Sequence, residues 1–225
     1  MNFNWLQSAA MGLSLGLSEL LPLSSDAARG LMRHCFGGGN EGPLYALLTH
    51  SAVLAVVVTM GDLELNRLRR TQKILKTPPK RRTGHPDLNS AGTLKLLRVA
   101  GLLAILGRLI SGSFASGTDR LYLLAPMLLV TGVLLWLPSH HRTANKDGRH
   151  LTPADGLIIG LGALFAAVPG ISLVAVCASL AILRGADLRY AIRFSWLLLT
   201  LELLAAIGLD CLALVGAGFS FEIGR

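Results

Sequence analysis

Ser18-Glu19-Leu20-Leu21-Pro22-Leu23-Ser24-Ser25-Asp26 sets an ionisable side chain, a proline and a polar triplet in the middle of an apolar stretch that begins near Trp5. Val168-Pro169-Gly170-Ile171-Ser172 interrupts a second apolar stretch near the other end of the chain. A proline inside a helix removes a backbone hydrogen bond and clashes with the preceding turn, so each stretch reads as two half-helices joined by a break. Two interrupted segments in corresponding halves of a membrane protein point to a site near the midplane of the bilayer.

The surroundings of both breaks are those of a membrane protein. Hydrophobic residues make up 52% of the chain, charged ones only 15%, and the mean hydropathy is +0.56, more apolar surface than one soluble core of 225 residues can hide. Leu44–Met60 and Leu121–Leu137 are 17-residue runs free of Lys, Arg, Asp and Glu, at the short end of what spans the hydrocarbon. Ala154–Leu183 and Phe194–Phe219 are longer, and Leu94–Ser113 carries Lys95, Arg98 and Arg108 near its ends, where long basic side chains can snorkel. All five read as helical. Met1–Asn4 lacks a basic n-region, so no cleavable leader is expected there. Cys35, Cys177 and Cys211 show no metal or redox spacing and are expected to be packing residues.

The net charge of +8 is concentrated between positions 61 and 93, a basic stretch with Arg67, Arg69, Arg70, Lys73, Lys76, Lys80, Arg81 and Arg82. A nucleic-acid patch would look similar, but the plainer reading is a cytoplasmic loop that obeys the positive-inside rule and touches anionic membrane lipids, with no nucleic acid as partner. From that loop Leu94–Ser113 runs out and Leu121–Leu137 returns, which leaves Arg142, Lys146 and Arg149 inside. Arg184, Arg189 and Arg193 stay on the same side only if the next stretch dips in and turns back at Pro169-Gly170. The same logic folds Trp5–Phe36 back at Pro22 from the outer face. The expected fold is an all-α integral membrane protein of one domain, 1–225, with inverted repeats at about 1–113 and 120–219 and two re-entrant helical hairpins that meet near the midplane. A weak internal repeat agrees: Gly12-Leu13-Ser14-Leu15 before the first break resembles Gly160-Leu161-Gly162-Ala163 before the second.

Glu19, deep in an apolar segment, costs several kcal/mol to bury unless it faces a polar cavity or partner, which makes it a functional candidate. Ser24-Ser25-Asp26 opens a helix after Pro22, and a helix start offers free N–H groups and a positive dipole end to an anion such as phosphate. The plain alternative is that Ser24 or Ser25 only caps the helix and Asp26 only favours its first turn. At the second break Gly170 permits close backbone approach and Ser172 can cap the following half-helix, although an ordinary kink fits as well.

The motif Glu19-Leu20-Leu21-Pro22-Leu23-Ser24-Ser25, the run Val53–Val58, Pro169-Gly170-Ile171-Ser172 and Phe194-Ser195-Trp196-Leu197-Leu198 occur in the order and approximate spacing of the undecaprenyl-diphosphate phosphatase family of the bacitracin-resistance type. The resemblance covers most of the chain. It implies an enzyme that removes the terminal phosphate from a C55 lipid diphosphate at the outer face of the bacterial inner membrane, with a polyprenyl phosphate or diphosphate lipid as partner. It assigns Glu19 to metal binding or acid/base work, Ser25 to catalysis, Ser24, Gly170 and Ser172 to the substrate, and Glu19 with Asp26 to Mg2+ or Ca2+; Arg29 lies outside the matched motif and is a candidate substrate contact or, more plainly, flanking charge at the outer interface.

The departures from that pattern all remove polar groups. Leu15 and Ala28 stand where the family has Glu or Gln and His, Ala163 where it has Gln, and Leu173-Val174 where it has Arg-Ser. Losing a phosphate-clamping cation costs orders of magnitude in rate, so hydrolysis is expected to be impaired. Arg29 and Arg33 are candidate replacements, with Glu19 and Asp26 as the only nearby carboxylates. The chain also ends where the family continues for further helices, and Glu202 is expected to pair with Arg193 or Arg98 or to line a polar seam. A noncatalytic polyprenyl-phosphate binding or transport protein is the alternative function, and a purely structural subunit would leave Glu19 unexplained.

Overall fold

The computed structural model describes residues 5–36, 42–78, 81, 84–112, 121–140 and 145–216. Lys80, Arg82 and Arg142, used above for topology, and the end of the expected Phe194–Phe219 span lie outside them. The order of elements is α1 (Trp5–Leu20), α2 (Ser25–Phe36), α3 (Pro43–Met60), α4 (Asp62–Lys76), α5 (Leu88–Ser111), α6 (Leu121–Trp136) with a 3-10 turn at Leu137–His140, α7 (Pro153–Phe165), α8 (Leu173–Leu183) and α9 (Leu188–Gly216). Among the described residues every element is helical. Both interrupted stretches break where the prolines stand, into α1–α2 and α7–α8.

Three boundaries differ from expectation. The 61–93 stretch, expected as a loop, forms α4 over its first half, because Asp62 and Glu64 in the first turn and Lys73 and Lys76 in the last complement the helix dipole. Its Leu68 and Thr71 are buried and Arg69, Arg70 and Lys73 exposed, the pattern of a surface helix. Helix α5 begins at Leu88 rather than Leu94, since the Asp87 carboxylate caps it by accepting from the N–H groups of Asn89 and Ser90. Helix α9 begins at Leu188, so Arg189 and Arg193 belong to its first turns rather than to a loop before it.

The core is assembled from small residues. Helix α5 lies on α7 so closely that a side chain at Gly160 would sit 2.8 Å from the Ala100 Cα, the close backbone approach that glycine and alanine allow in helix packing. Leu96, Ala100, Ala104, Ile159, Ala163, Ala181, Phe194 and Leu198 join α5, α7, α8 and α9. A second cluster, Val53, Val57, Val174, Leu199 and Leu203, joins α3, α8 and α9. Cys177 is buried in the first, but Cys35 and Cys211 are exposed, so the packing role expected for all three cysteines holds for Cys177 alone. Large apolar side chains such as Leu13, Leu48, Leu102, Leu129, Leu212 and Val215 cover the outside. Helices α3 and α9 are long and apolar enough to cross a membrane.

One end of the bundle gathers three segments. Lys146 N–H donates to the Gly185 carbonyl (3.0 Å) and Asp187 N–H to the Lys146 carbonyl (2.9 Å), while Gly148 N–H donates to Asn89 Oδ1 (2.7 Å). Helix α7 leaves this end under a capping box, Thr152 with Asp155, and α8 returns to it, where Arg184 Nε donates to Asp155 Oδ1 at 2.6 Å. That ion pair closes the open end of the α7–α8 hairpin. On α1, the Ser8 carbonyl accepts from the Tyr45 hydroxyl (3.5 Å), which fastens the start of α1 to the start of α3.

Asp155→Ala removes both the cap and the partner of Arg184, and thermal unfolding in detergent should show a loss of about 2 kcal/mol. The Asp87 carboxyl is held below the ordinary carboxylate value first by the Ser90 hydroxyl and also by the Asn89 and Ser90 N–H groups. A depressed folded value means that the stabilisation is full above about pH 5 and is lost as pH falls through the folded value. Amide exchange in the first turn of α5 should therefore accelerate in acid, and Asp87→Asn, which still caps, should abolish that acid dependence.

Candidate functional site at the two helix breaks

A helix that stops inside a bundle leaves N–H groups without partners, and here serines supply them. Ser24 is buried and its Oγ accepts from Ala27 N–H (3.3 Å), capping α2. Ser172 Oγ accepts from Ala175 N–H (3.4 Å), capping α8. Thr131 of α6 staples the second turn: its hydroxyl donates to the Gly170 carbonyl (3.3 Å) and accepts from Ser172 N–H (3.4 Å). Gly170 has φ of +95°, and a side chain there would meet Met127 Cβ at 2.7 Å. The close approach that requires glycine is thus to helix α6, and Gly170 is not part of the cavity wall described next.

Both breaks open on one cavity of about 60 Å3. Glu19, Ser25, Asp26 and Arg29 line it from the first break and Ile171, Ser172, Leu173 and Val174 from the second. Of the sequence candidates, Glu19, Ser25, Asp26, Arg29 and Ser172 come together, whereas Ser24 serves as a cap outside the wall and Arg33 does not reach it. Of the positions that lack the expected polar groups, Ala163, Leu173 and Val174 form part of the wall, while Leu15 is buried elsewhere.

Three further residues of the wall, Arg108, Glu202 and His50, were not among the sequence's site candidates. Arg108 of α5 points into the cavity instead of snorkelling, and its Nη1 lies 3.4 Å from Glu202 Oε1 of α9. Glu202 therefore pairs with Arg108, not with Arg193 or Arg98, and Glu19 and Asp26 are not the only carboxylates present. His50 of α3 also lines the cavity, with Nδ1 2.7 Å from Asp210 Oδ2. The only sequence signal for these groups was their presence in apolar spans, where an ionisable side chain is expensive.

Three carboxylates, Glu19, Asp26 and Glu202, face two guanidiniums, Arg29 and Arg108. Arg29 Nη1 lies 4.0 Å from Asp26 Oδ1, so each arginine already has a carboxylate at hand. A surplus of negative charge suits a cation, yet among the described residues no three His, Cys, Asp or Glu side chains converge as a metal site. Glu19 and Asp26 both line the cavity, and a Mg2+ or Ca2+ held by these two would take its remaining oxygen ligands from water and phosphate. What the arrangement can do is bind an anion by exchanging the arginines from protein carboxylate to phosphate, with two capped helix starts aimed at the same space.

The protein is all-helical among the described residues, with an apolar exterior and a cavity lined by charged side chains at its two helix breaks, consistent with a membrane protein. A sequence model described as Bacitracin resistance protein BacA matches residues 8–223. A protein of Syntrophotalea carbinolica named undecaprenyl-diphosphatase is 30% identical over 98% of this chain and 81% of its own length. Namesakes from Carboxydothermus hydrogenoformans (28% identical over 92% of this chain and 73% of theirs) and Pelotomaculum thermopropionicum (29%, 86% and 70%) are similar. The chain belongs to the bacitracin resistance protein BacA family.

Competition between protein carboxylates and anion gives opposite expectations for the two members of one pair. Arg108→Gln should weaken binding of inorganic diphosphate by about tenfold, and Glu202→Gln, which frees Arg108, should tighten it by a similar factor; calorimetric titration of the purified protein reads both.

Proposed function

We propose that the chain holds the phosphates of a polyprenyl diphosphate carrier lipid in this cavity and removes the terminal phosphate, more slowly than a family member with polar groups at the positions of Leu15, Ala28, Ala163, Leu173 and Val174. One observation carries the reading: Ser25 and Ser172, each at the start of a half-helix, line a single cavity with Arg29 and Arg108. In this reading the serine hydroxyls and the helix-start N–H groups donate to phosphate oxygens. Arg29 and Arg108 neutralise the charge that moves to the leaving oxygen, Glu19 transfers the proton, and Asp26 orients Arg29. No step is assigned to a metal ion.

The slow rate follows from two features. The wall that Ala163, Leu173 and Val174 provide offers no hydrogen bonds, and the arginines must leave carboxylates before they can clamp phosphate. The same apolar wall favours a second reading, binding of a polyprenyl phosphate without hydrolysis.

The proposed setting is the bacterial inner membrane, crossed several times, with the basic end in the cytoplasm and α4 laid on anionic lipid. The α7–α8 hairpin then enters from inside and α1–α2 from outside. Support comes from the two fastenings: Asp155–Arg184 at the basic end for one hairpin, and Tyr45–Ser8, at the opposite end of α3 from α4, for the other.

Phosphate release from a C55 diphosphate by the purified protein should be detectable and about a hundredfold below that of the Syntrophotalea relative. Equal turnover would overturn the impaired-hydrolysis reading, and binding without release would install the second. Glu19→Ala and Ser25→Ala should abolish polyprenyl-phosphate binding in nanodiscs while Arg81→Ala leaves it intact; equal binding by all three would remove the cavity as the site.

A further inference from the structure

His50 and Asp210 are 160 positions apart in sequence, yet their 2.7 Å contact is closer than Arg108–Glu202 at 3.4 Å or Arg29–Asp26 at 4.0 Å. Their side chains retain 6% and 13% of their exposure, in two helices that are otherwise apolar enough to cross a membrane. An ionisable pair at that depth has a large desolvation cost, and α3 and α9 already pack through Val53, Val57, Leu199 and Leu203 without it. Holding the helices together does not require it.

The pair has a direction. With Asp210 ionised and the imidazole neutral, the carboxylate accepts, which puts the proton of the 2.7 Å contact on Nδ1 and the lone pair of the ring on Nε2. Asp210 stands behind the ring and outside the cavity wall, whereas His50 is part of that wall. Nε2 has no hydrogen-bond partner among the described residues. Ser25, the hydroxyl expected to act, likewise bonds to no base among the described residues, and an unassisted serine hydroxyl is a weak nucleophile. Neutral imidazole needs no deprotonation before it attacks, and the carboxylate behind it stabilises the positive charge that the attack creates.

We infer that His50 Nε2 is the nucleophile of this cavity, positioned by Asp210, and that turnover passes through a phosphohistidine. The inference rests on the phosphatase reading above. In the first step the Nε2 lone pair forms a bond to the terminal phosphorus. The bond from that phosphorus to the bridging oxygen breaks, and its electron pair leaves with the lipid monophosphate. In the second step water attacks the phosphorus, its proton passes to a carboxylate of the wall such as Glu19, the P–N bond breaks with its electrons returning to Nε2, and inorganic phosphate departs. Asp210 touches no substrate and acts as a positioning residue.

The test uses the full chain in nanodiscs and a C55 diphosphate labelled with 32P in the terminal phosphate, quenched with alkali within the first turnovers. The parent should carry label that survives alkali and is lost in mild acid, the signature of a P–N bond. His50→Gln should carry none and lose phosphate release by about a hundredfold or more. Asp210→Asn should slow labelling and lower kcat with KM unchanged, a split that a purely structural role would not produce. Phosphate release by the parent with no label, acid-stable label, or full activity in His50→Gln overturns the inference and leaves the phosphatase reading standing. No release by the parent overturns both.

Discussion

The interior of a helical bundle offers no water to a backbone that stops being helical, and that constraint governs this protein. Four half-helices end or begin around one point, at Leu20, Ser25, Phe165 and Leu173. Each start needs acceptors for its free N–H groups, and Ser24 and Ser172 supply them by folding back on their own backbones. Once those caps are in place, the Thr131 staple, the left-handed turn at Gly170 and the residual space between the tips follow from packing. The cavity is what remains when two satisfied helix breaks face one another.

The breaks themselves were legible because proline, glycine and serine act locally, through φ, a missing N–H and a side-chain cap. Hence Trp5–Phe36 and Ala154–Leu183 divide where the sequence predicts, and Glu19, Ser25, Asp26, Arg29 and Ser172 meet as their helix-start chemistry suggested. The remainder of the wall was not legible, because it depends on which way a helix rotates. Arg108 near the end of an apolar span has two inexpensive options, water at the interface or a carboxylate inside, and only the placement of Glu202 on α9 decides between them. His50 and Asp210 find each other across α3 and α9 by the same non-local logic. Gly170 was legible as a special residue for a reason that proved to be packing on α6.

The two hairpins are fastened differently. A buried carboxylate, a capping box and main-chain bonds to Lys146 close α7–α8, whereas a tyrosine hydroxyl at 3.5 Å ties the start of α1 to α3. The first hairpin brings Glu19, Asp26 and Arg29 to the wall of the cavity, and the second brings uncharged residues.

The apolar wall of Ala163, Ala166, Ala167, Leu173 and Val174 has a consequence for ionic strength. Charges shielded from water by such a surface feel little of the ion atmosphere, which at 0.15 M decays over about 8 Å in solvent. Under the proposed reading, exchange of Arg108 and Arg29 between carboxylate and phosphate is then less sensitive to added salt than a contact on the open surface. The exposed arginines of α4 lie in that atmosphere, and their attraction for an anionic surface fades as salt rises. The proposed reading therefore gives one chain two anion-attracting regions that a simple salt series would separate, one set by local geometry and one by the solvent around it.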